Sequence, residues 1–417
     1  MGKKKPTRAY YLRFVARKMR SARLVMRKRL GQHLLKNPDT VANIVAHAEV
    51  RAGERLFEIG PGTGNLTAHL LASPASRVYA VELDARLHAQ LLPRVAALEG
   101  DVGSKLSCVR GDFLRVGLPP FDVLVANIPY QISSPVLHRL FAHAPLPRRA
   151  VIMFQKEFAE RMVAAPGGAQ YCRLSVNTQL LASARIAMRI GREQFRPPPK
   201  VDSAVVVLEP RGWPSGLDWV EWDALLRMCF EGKNKTLRAL LGGNKTRLAG
   251  LALASSPPAG GCAPRDSEGG DEGAGGDLVV TSQGTIARAE LAATRERLLR
   301  VLAALGAESW RANSMPLESF QALYGALKQE GFNLRAAGAE PTYPAALTEG
   351  EWDALAAQPS PPSHHELFTN TGIRLDYAIP GSRMERAQRE GREEPLGSGA
   401  GLLSSRIVGW AAAKGSR

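Results

Sequence analysis

The residues best suited to chemistry stand in two short blocks, Glu58-Ile59-Gly60-Pro61-Gly62-Thr63-Gly64-Asn65-Leu66-Thr67 and Asn127-Ile128-Pro129-Tyr130. In the first, glycines at 60, 62 and 64 let a nucleoside-bearing cofactor approach bare main chain at the start of a helix. Such a site also needs an acid about 20 residues further on, at the end of the next strand, to grip ribose hydroxyls. Glu82, closing Val78-Tyr79-Ala80-Val81, has that place, and Asp112, after Gly111, is set to accept from a cofactor adenine amino group. The turn reads G-P-G-T-G and lacks the full G-x-G-x-x-G fingerprint. That disfavours NAD and favours S-adenosylmethionine.

The second block puts an amide, a rigid proline and an aromatic ring side by side, which suits a planar base with an exocyclic amine. The amine of adenine is a poor nucleophile because its lone pair is delocalised into the ring. Two acceptors aimed at its hydrogens turn that lone pair toward a methyl donor. The Asn127 side-chain carbonyl and the Pro129 main-chain carbonyl are the expected pair, with Tyr130 as a stacking face. Phe195, stiffened by Pro197-Pro198-Pro199, is expected to close the opposite face of the base. The chemistry implied is methyl transfer to nitrogen, governed by positioning.

Elements able to hold these residues alternate along the chain. Strands are expected at Arg55–Ile59, Arg77–Glu82, Lys105–Val109, Phe121–Ala126, Ala150–Phe154 and Ala204–Leu208, with helices near 38–50, 64–73, 84–97, 134–143 and 156–164. This alternation indicates βαβ units in a mostly parallel sheet, whose ligands sit beyond the carboxyl ends of strands. The fold class expected is therefore α/β, a Rossmann-like sheet over 30–210 with helices on both faces. A smaller all-helical domain follows over 211–335. Its helices are a hairpin at 221–241, a periodic stretch through Leu291, Leu298, Leu302 and Leu305, and a helix from Ser314, as N-cap, to about Gly331. A Gly/Pro/Ser/acid stretch at 254–284 cannot support a core, and the segment 336–417 reads as a loose tail.

The 417 residues carry a net charge of +16. Basic side chains crowd residues 1–29, and no acid precedes Asp39. Such an arm attracts a polyanion, RNA above all. An organellar presequence and an inert solvated tail are the other readings, and the lysines at 3–5 fit a nuclear-type cluster better than a presequence. Cys108, Cys172, Cys229 and Cys262 are scattered, which argues against a zinc site or disulfide framework and for a reducing compartment. No metal is expected. No apolar run approaches the roughly 18 residues that span a bilayer, so a soluble protein with no membrane partner is expected.

Taken together, these segments resemble the rRNA adenine N6,N6-dimethyltransferase family, in particular its eukaryotic, nucleolar small-subunit branch. The resemblance runs from about Leu30 to Leu241. It starts with Leu30-Gly31-Gln32-His33-Leu34-Leu35-Lys36-Asn37-Pro38 and continues through Asn127-Ile128-Pro129-Tyr130-Gln131-Ile132-Ser133-Ser134-Pro135 and Phe154-Gln155-Lys156-Glu157-Phe158-Ala159. Phe195–Ser203 and Lys233-Asn234-Lys235-Thr236-Leu237 extend it. It implies that His33, Leu35, Gly60, Glu82, Asp112 and Asn127 serve S-adenosylmethionine, beside Gly62 of the glycine turn, and that Asn127, Pro129, Tyr130 and Phe195 serve the target base.

The substrate implied is two adjacent adenines in a hairpin loop near the 3′ end of small-subunit rRNA, dimethylated on naked rRNA or on a pre-ribosomal particle. A monomeric protein of the nucleus and nucleolus is expected, with mitochondrion or plastid as the alternative. A non-catalytic ribosome-assembly or organellar transcription factor of the same fold stays open. So does methylation of DNA adenine or protein glutamine, which uses similar N-P-P-Y chemistry.

Overall fold

The computed structural model describes Arg27 and residues 31–96, 103–243, 248–249, 251–252, 278–281, 284–334 and 344–358. Packing divides the chain at Pro361, and the second unit, 362–417, lies outside the described residues. So do the basic arm apart from Arg27, most of the insert expected at 254–284, and most of the tail.

In chain order the strands are β1 Leu34–Leu35, β2 Arg55–Ile59, β3 Arg77–Glu82, β4 Leu106–Arg110, β5 Val123–Asn127, β6 Arg149–Gln155, β7 Ala182–Ile190, β8 Phe195–Arg196, β9 Ser203–Pro210, β10 Leu278–Thr281 and β11 Gly284–Ala287. The helices are α1 Pro38–Ala48, α2 Asn65–Leu71, α3 Ala85–Ala96, α4 Ser133–Phe141, α5 Lys156–Met162, α6 Arg173–Leu181, α7 Trp219–Phe230, α8 Leu237–Gly242, α9 Arg288–Ala304, α10 Leu317–Gln329 and α11 Glu349–Ala357. Asn37 caps α1 by accepting from the Asp39 N–H, and Pro38 opens the helix.

Seven strands form one sheet in the order β4-β3-β2-β5-β6-β9-β7. The first five are parallel, and β9 runs antiparallel to both β6 and β7. Central strands such as β5 and β9 are buried on both faces and so read as unbroken apolar runs. One face packs against α1, α2 and α3, and the other against α4 and α5. The doubly covered α/β sheet is the expected one, with β7 and α6 added. Strand β7 reads Ala-Ser-Ala-Arg-Ile-Ala-Met-Arg-Ile and lies at the sheet's edge with several side chains exposed.

A third apolar core joins α6 to α7, α8, α9 and α10. Trp222 is buried at its centre and donates from Nε1 to Asn177 Oδ1 at 2.9 Å. Three expectations are corrected in this region and beyond it. The domain is not all-helical, because β10, inside the far end of the expected insert, and β11, which starts at its last residue and runs beyond it, form an antiparallel hairpin. The β-branched run Val279-Val280-Thr281 favours strand there over the loop that composition implied. The cap of α10 is Pro316; Ser314 ends a 3-10 turn and donates to the Arg311 carbonyl instead. The tail after 336 is not uniformly loose either, since α11 docks on the sheet and buries Trp352 completely.

Candidate active site

The two motifs leave the sheet side by side. Ile59 and Ala126 are register partners on β2 and β5, so Gly60 and Asn127 follow them out at the strands' carboxyl ends. Strand order reverses between β2 and β5, and connections diverging at such a point open a crevice. Here it is an open cleft of about 850 Å³, its mouth included. His33, Gly60, Gly62, Glu82, Asp112, Asn127, Pro129, Tyr130 and Phe195 all line it.

Leu35 does not. Adjacent residues of an extended strand face opposite ways. Leu34 lines the cleft, while the Leu35 side chain packs in the core. Leu35 still ties the N-terminal segment to the site, because its carbonyl accepts from Asn65 Nδ2 at 3.0 Å.

Gly60 and Gly62 adopt φ of 65° and 61°, where a side chain would be strained. A Cβ at Gly60 would meet nothing within 4 Å, so it would stand in the open cleft. The Gly62 N–H donates to Glu82 Oε2 at 2.9 Å, and the Asp84 N–H donates to Oε1 at 2.8 Å. Burial pushes the Glu82 carboxyl above its ordinary pKa, against the pull of those two donors. Each oxygen keeps a lone pair for a further hydroxyl. Asp112 accepts from the Leu114 N–H at 2.9 Å through Oδ1, which fixes its orientation at the cleft.

Asp84 escaped sequence reasoning. Gln32 donates to it at 3.1 Å, and Arg86 grips both its oxygens, at 3.1 and 2.8 Å. Burial alone would raise the Asp84 pKa, but these donors hold the carboxyl well below the usual range. It therefore stays an anion that anchors Gln32, and with it the N-terminal side of the cleft. Its place two residues after Glu82 was the available signal.

These residues fit S-adenosylmethionine. Glu82 would hold the ribose hydroxyls, Asp112 the adenine amino group, and Val81, Leu87 and Phe113 supply apolar wall beside them. The unsubstituted main chain at Gly60 and Gly62 leaves room for the rest.

Asn127 donates from Nδ2 to the His33 carbonyl at 3.1 Å, so the side-chain carbonyl is the end left for a ligand's N–H. The Pro129 carbonyl already accepts the Ile132 N–H at 3.2 Å, within a 3-10 turn. Ile128 buries its side chain in the core and is 2% exposed, so its share of the cleft wall is main chain. Its carbonyl accepts no backbone hydrogen bond among the described residues, which makes it a second acceptor that the motif alone did not single out.

Tyr130 shares a 2.7 Å hydroxyl contact with Ser203, and burial keeps its phenol neutral by raising its pKa. The aromatic ring nearly parallel to it is that of His33, with centroids 6.3 Å apart and planes 24° apart. His33 Nδ1 lies 2.8 Å from the Pro197 carbonyl, so that nitrogen carries the proton. Phe195 is only 2% exposed and packs beside Leu35 through the β1–β8 pairing, so the cleft meets little of its ring.

Residues 23–253 match the family described as Ribosomal RNA adenine dimethylase. A "Probable dimethyladenosine transferase" of Dictyostelium discoideum is 52% identical over 215 residues, covering 52% of this chain and 68% of that protein. A protein of the same description from Drosophila melanogaster is 51% identical over 216 residues, covering 52% of this chain and 70% of its own. Among solved structures, a dimethyladenosine transferase from Plasmodium falciparum superposes with a TM-score of 0.60 at 32% identity, covering 72% of this chain and 98% of that one. The match spans both motifs and the cleft between them, and the chain is thus an S-adenosylmethionine-dependent methyltransferase of the ribosomal RNA adenine dimethylase family.

Proposed function

We propose that this chain methylates N6 of two adjacent adenines in a hairpin loop near the 3′ end of small-subunit rRNA, giving N6,N6-dimethyladenosine during small-subunit biogenesis. The observation that carries the reading is Asn127, held by the His33 carbonyl in the same cleft as Glu82. A loop adenine is cheap to unstack and so can reach a recessed pocket.

When bound, S-adenosylmethionine supplies an electrophilic methyl on a sulfonium centre. Asn127 Oδ1 and the Ile128 carbonyl accept from the two N6 hydrogens and draw the lone pair out of conjugation. The amine nitrogen, its lone pair so directed, would take that methyl from the sulfur, and its surplus N6 proton would pass to water once the nitrogen is alkylated. Tyr130 offers its ring to the base, with its hydroxyl pinned by Ser203. No side chain has to act as a strong base. Orientation supplies the rate, and well-placed reactants gain roughly 7–11 kcal/mol from proximity.

On this reading the protein is a monomer of the nucleolus that meets its target as rRNA or within a pre-ribosomal particle. The experiment is incubation with methyl-labelled cofactor and small-subunit RNA, then mapping of the label. Label in two neighbouring adenines of the 3′ hairpin supports the proposal. Label elsewhere moves the target, and none favours the assembly-factor reading. A fluorescent fusion tests the compartment, where organellar signal would redirect the target to organelle rRNA.

A further inference from the structure

Residues 344–358 lie across the part of the sheet that the β4–β5 connection leaves bare. That connection, residues 111–122, contains no helix, although a doubly covered sheet needs apolar cover on both faces. Helix α11 provides it from far along the chain. Trp352 is fully buried, with its ring 5.5 Å from Phe57 and 6.1 Å from Tyr79 between centroids, both edge-on. Its Nε1 donates to the Ser107 carbonyl at 3.2 Å. Asp353 pairs with Arg77 at 2.6 Å, and Glu349 pairs with Arg55 at 2.9 Å.

The same segment grips the connection itself. The Leu347 N–H donates to the Leu118 carbonyl at 2.9 Å. Gly117 lies so close that a Cβ there would fall 2.5 Å from the Ala345 carbonyl oxygen and 2.7 Å from Leu347 Cγ. From this contact a packed path leads to the cleft. Trp352 touches Phe57, Phe57 lies 5.9 Å from Phe113, and Phe113 lines the cleft next to Asp112. The Arg139 guanidinium also lies over Phe113, 4.9 Å from its ring centre.

We propose that residues 344–358 are a built-in strap that sets cofactor affinity, with Trp352 as a positioning residue that holds Phe113 and Asp112 at the adenine end of the cleft. The inference rests on the reading of that cleft as the S-adenosylmethionine site. Asn127 and Tyr130 make their side-chain hydrogen bonds with His33 and Ser203 and none with the strap among the described residues, so the target-base side of the reaction is expected to be independent of it.

The test is the dissociation constant for S-adenosylhomocysteine, measured by calorimetry on the full chain. Trp352→Ala raises it about tenfold, while kcat at saturating cofactor and KM for RNA stay within about twofold; Trp352→Phe restores most of the affinity. Gly117→Ala leaves the core filled but displaces the strap, and raises the constant in the same direction. It also keeps the proposal testable if Trp352→Ala fails to fold. Wild-type binding beside unchanged binding in the folded variants overturns the strap alone. A wild-type chain that binds no S-adenosylhomocysteine overturns the reading of the cleft, and the strap with it.

Discussion

The side-chain amide of Asn127 donates to the carbonyl oxygen of His33 across 3.1 Å, joining residues 94 positions apart. The bond engages the amide nitrogen and leaves the side-chain carbonyl as the end of Asn127 open to a ligand. It also ties the N-terminal segment to the cleft, where Gln32, beside His33, is held in turn by Asp84.

Asn127→Ala removes the oriented acceptor and leaves the glycine turn and Glu82 in place. Turnover is expected to fall by about 10²–10³-fold, the range seen when one preorganised hydrogen-bonding group is removed. Binding of S-adenosylhomocysteine should weaken but remain measurable. Single-turnover methylation with a parallel binding titration checks this, and near wild-type turnover would refute the role of Asn127.

Glu82→Gln acts on the other half of the cleft. An amide nitrogen cannot accept from the Gly62 or Asp84 N–H, so one of the two bonds at 2.9 and 2.8 Å is broken. On the proposed reading, the hold on the ribose hydroxyls weakens with it. The expected outcome is a rise of tenfold or more in the S-adenosylhomocysteine dissociation constant, with a smaller change in turnover at saturating cofactor. Equal affinities would remove Glu82 from the cofactor site.

Much of this site was legible in the sequence. Strands β2 and β3 fall where their apolar runs predict, so the positions of Gly60 and Glu82 followed from strand ends. Contacts across the chain were not legible: the parallel approach of His33 to Tyr130 and the hydrogen bond from Gln32 to Asp84 depend on how the N-terminal segment folds back. Edge strand β7 was hidden because Arg185 and Arg189 break its apolar pattern. Helix α11 was hidden by alanine, glycine and acid around a single tryptophan. Yet Thr348 and Glu351 form a reciprocal cap that was readable as T-x-x-E.

Glu58 gives the fold a pH signature. It is 1% exposed at the end of β2, and burial, reinforced by the nearby Glu82 charge, raises its pKa to about 8 from an ordinary 4.5. Between those values the folded chain keeps a proton that the unfolded chain has released. This contribution to stability is therefore complete below pH 4.5 and declines as pH rises toward 8, by up to about 1.4 kcal/mol per pH unit. Glu58→Gln should flatten that decline in denaturant midpoints. Parallel curves for the two proteins would show that Glu58 titrates normally.

The basic residues before Gly31 test the RNA side. Deleting residues 1–26 should weaken RNA binding and lower the slope of log affinity against log salt by roughly 0.7–0.9 for each phosphate that the arm neutralises. An unchanged slope would mean that residues 1–26 neutralise none.

The most direct measurement is nucleoside mass spectrometry of small-subunit rRNA after incubation with the purified protein and S-adenosylmethionine. The account predicts N6,N6-dimethyladenosine at two adjacent positions with the wild-type chain and almost none with Asn127→Ala. Folded, cofactor-binding wild-type protein that leaves every adenine unmodified, on naked rRNA and on pre-ribosomal particles alike, would contradict it.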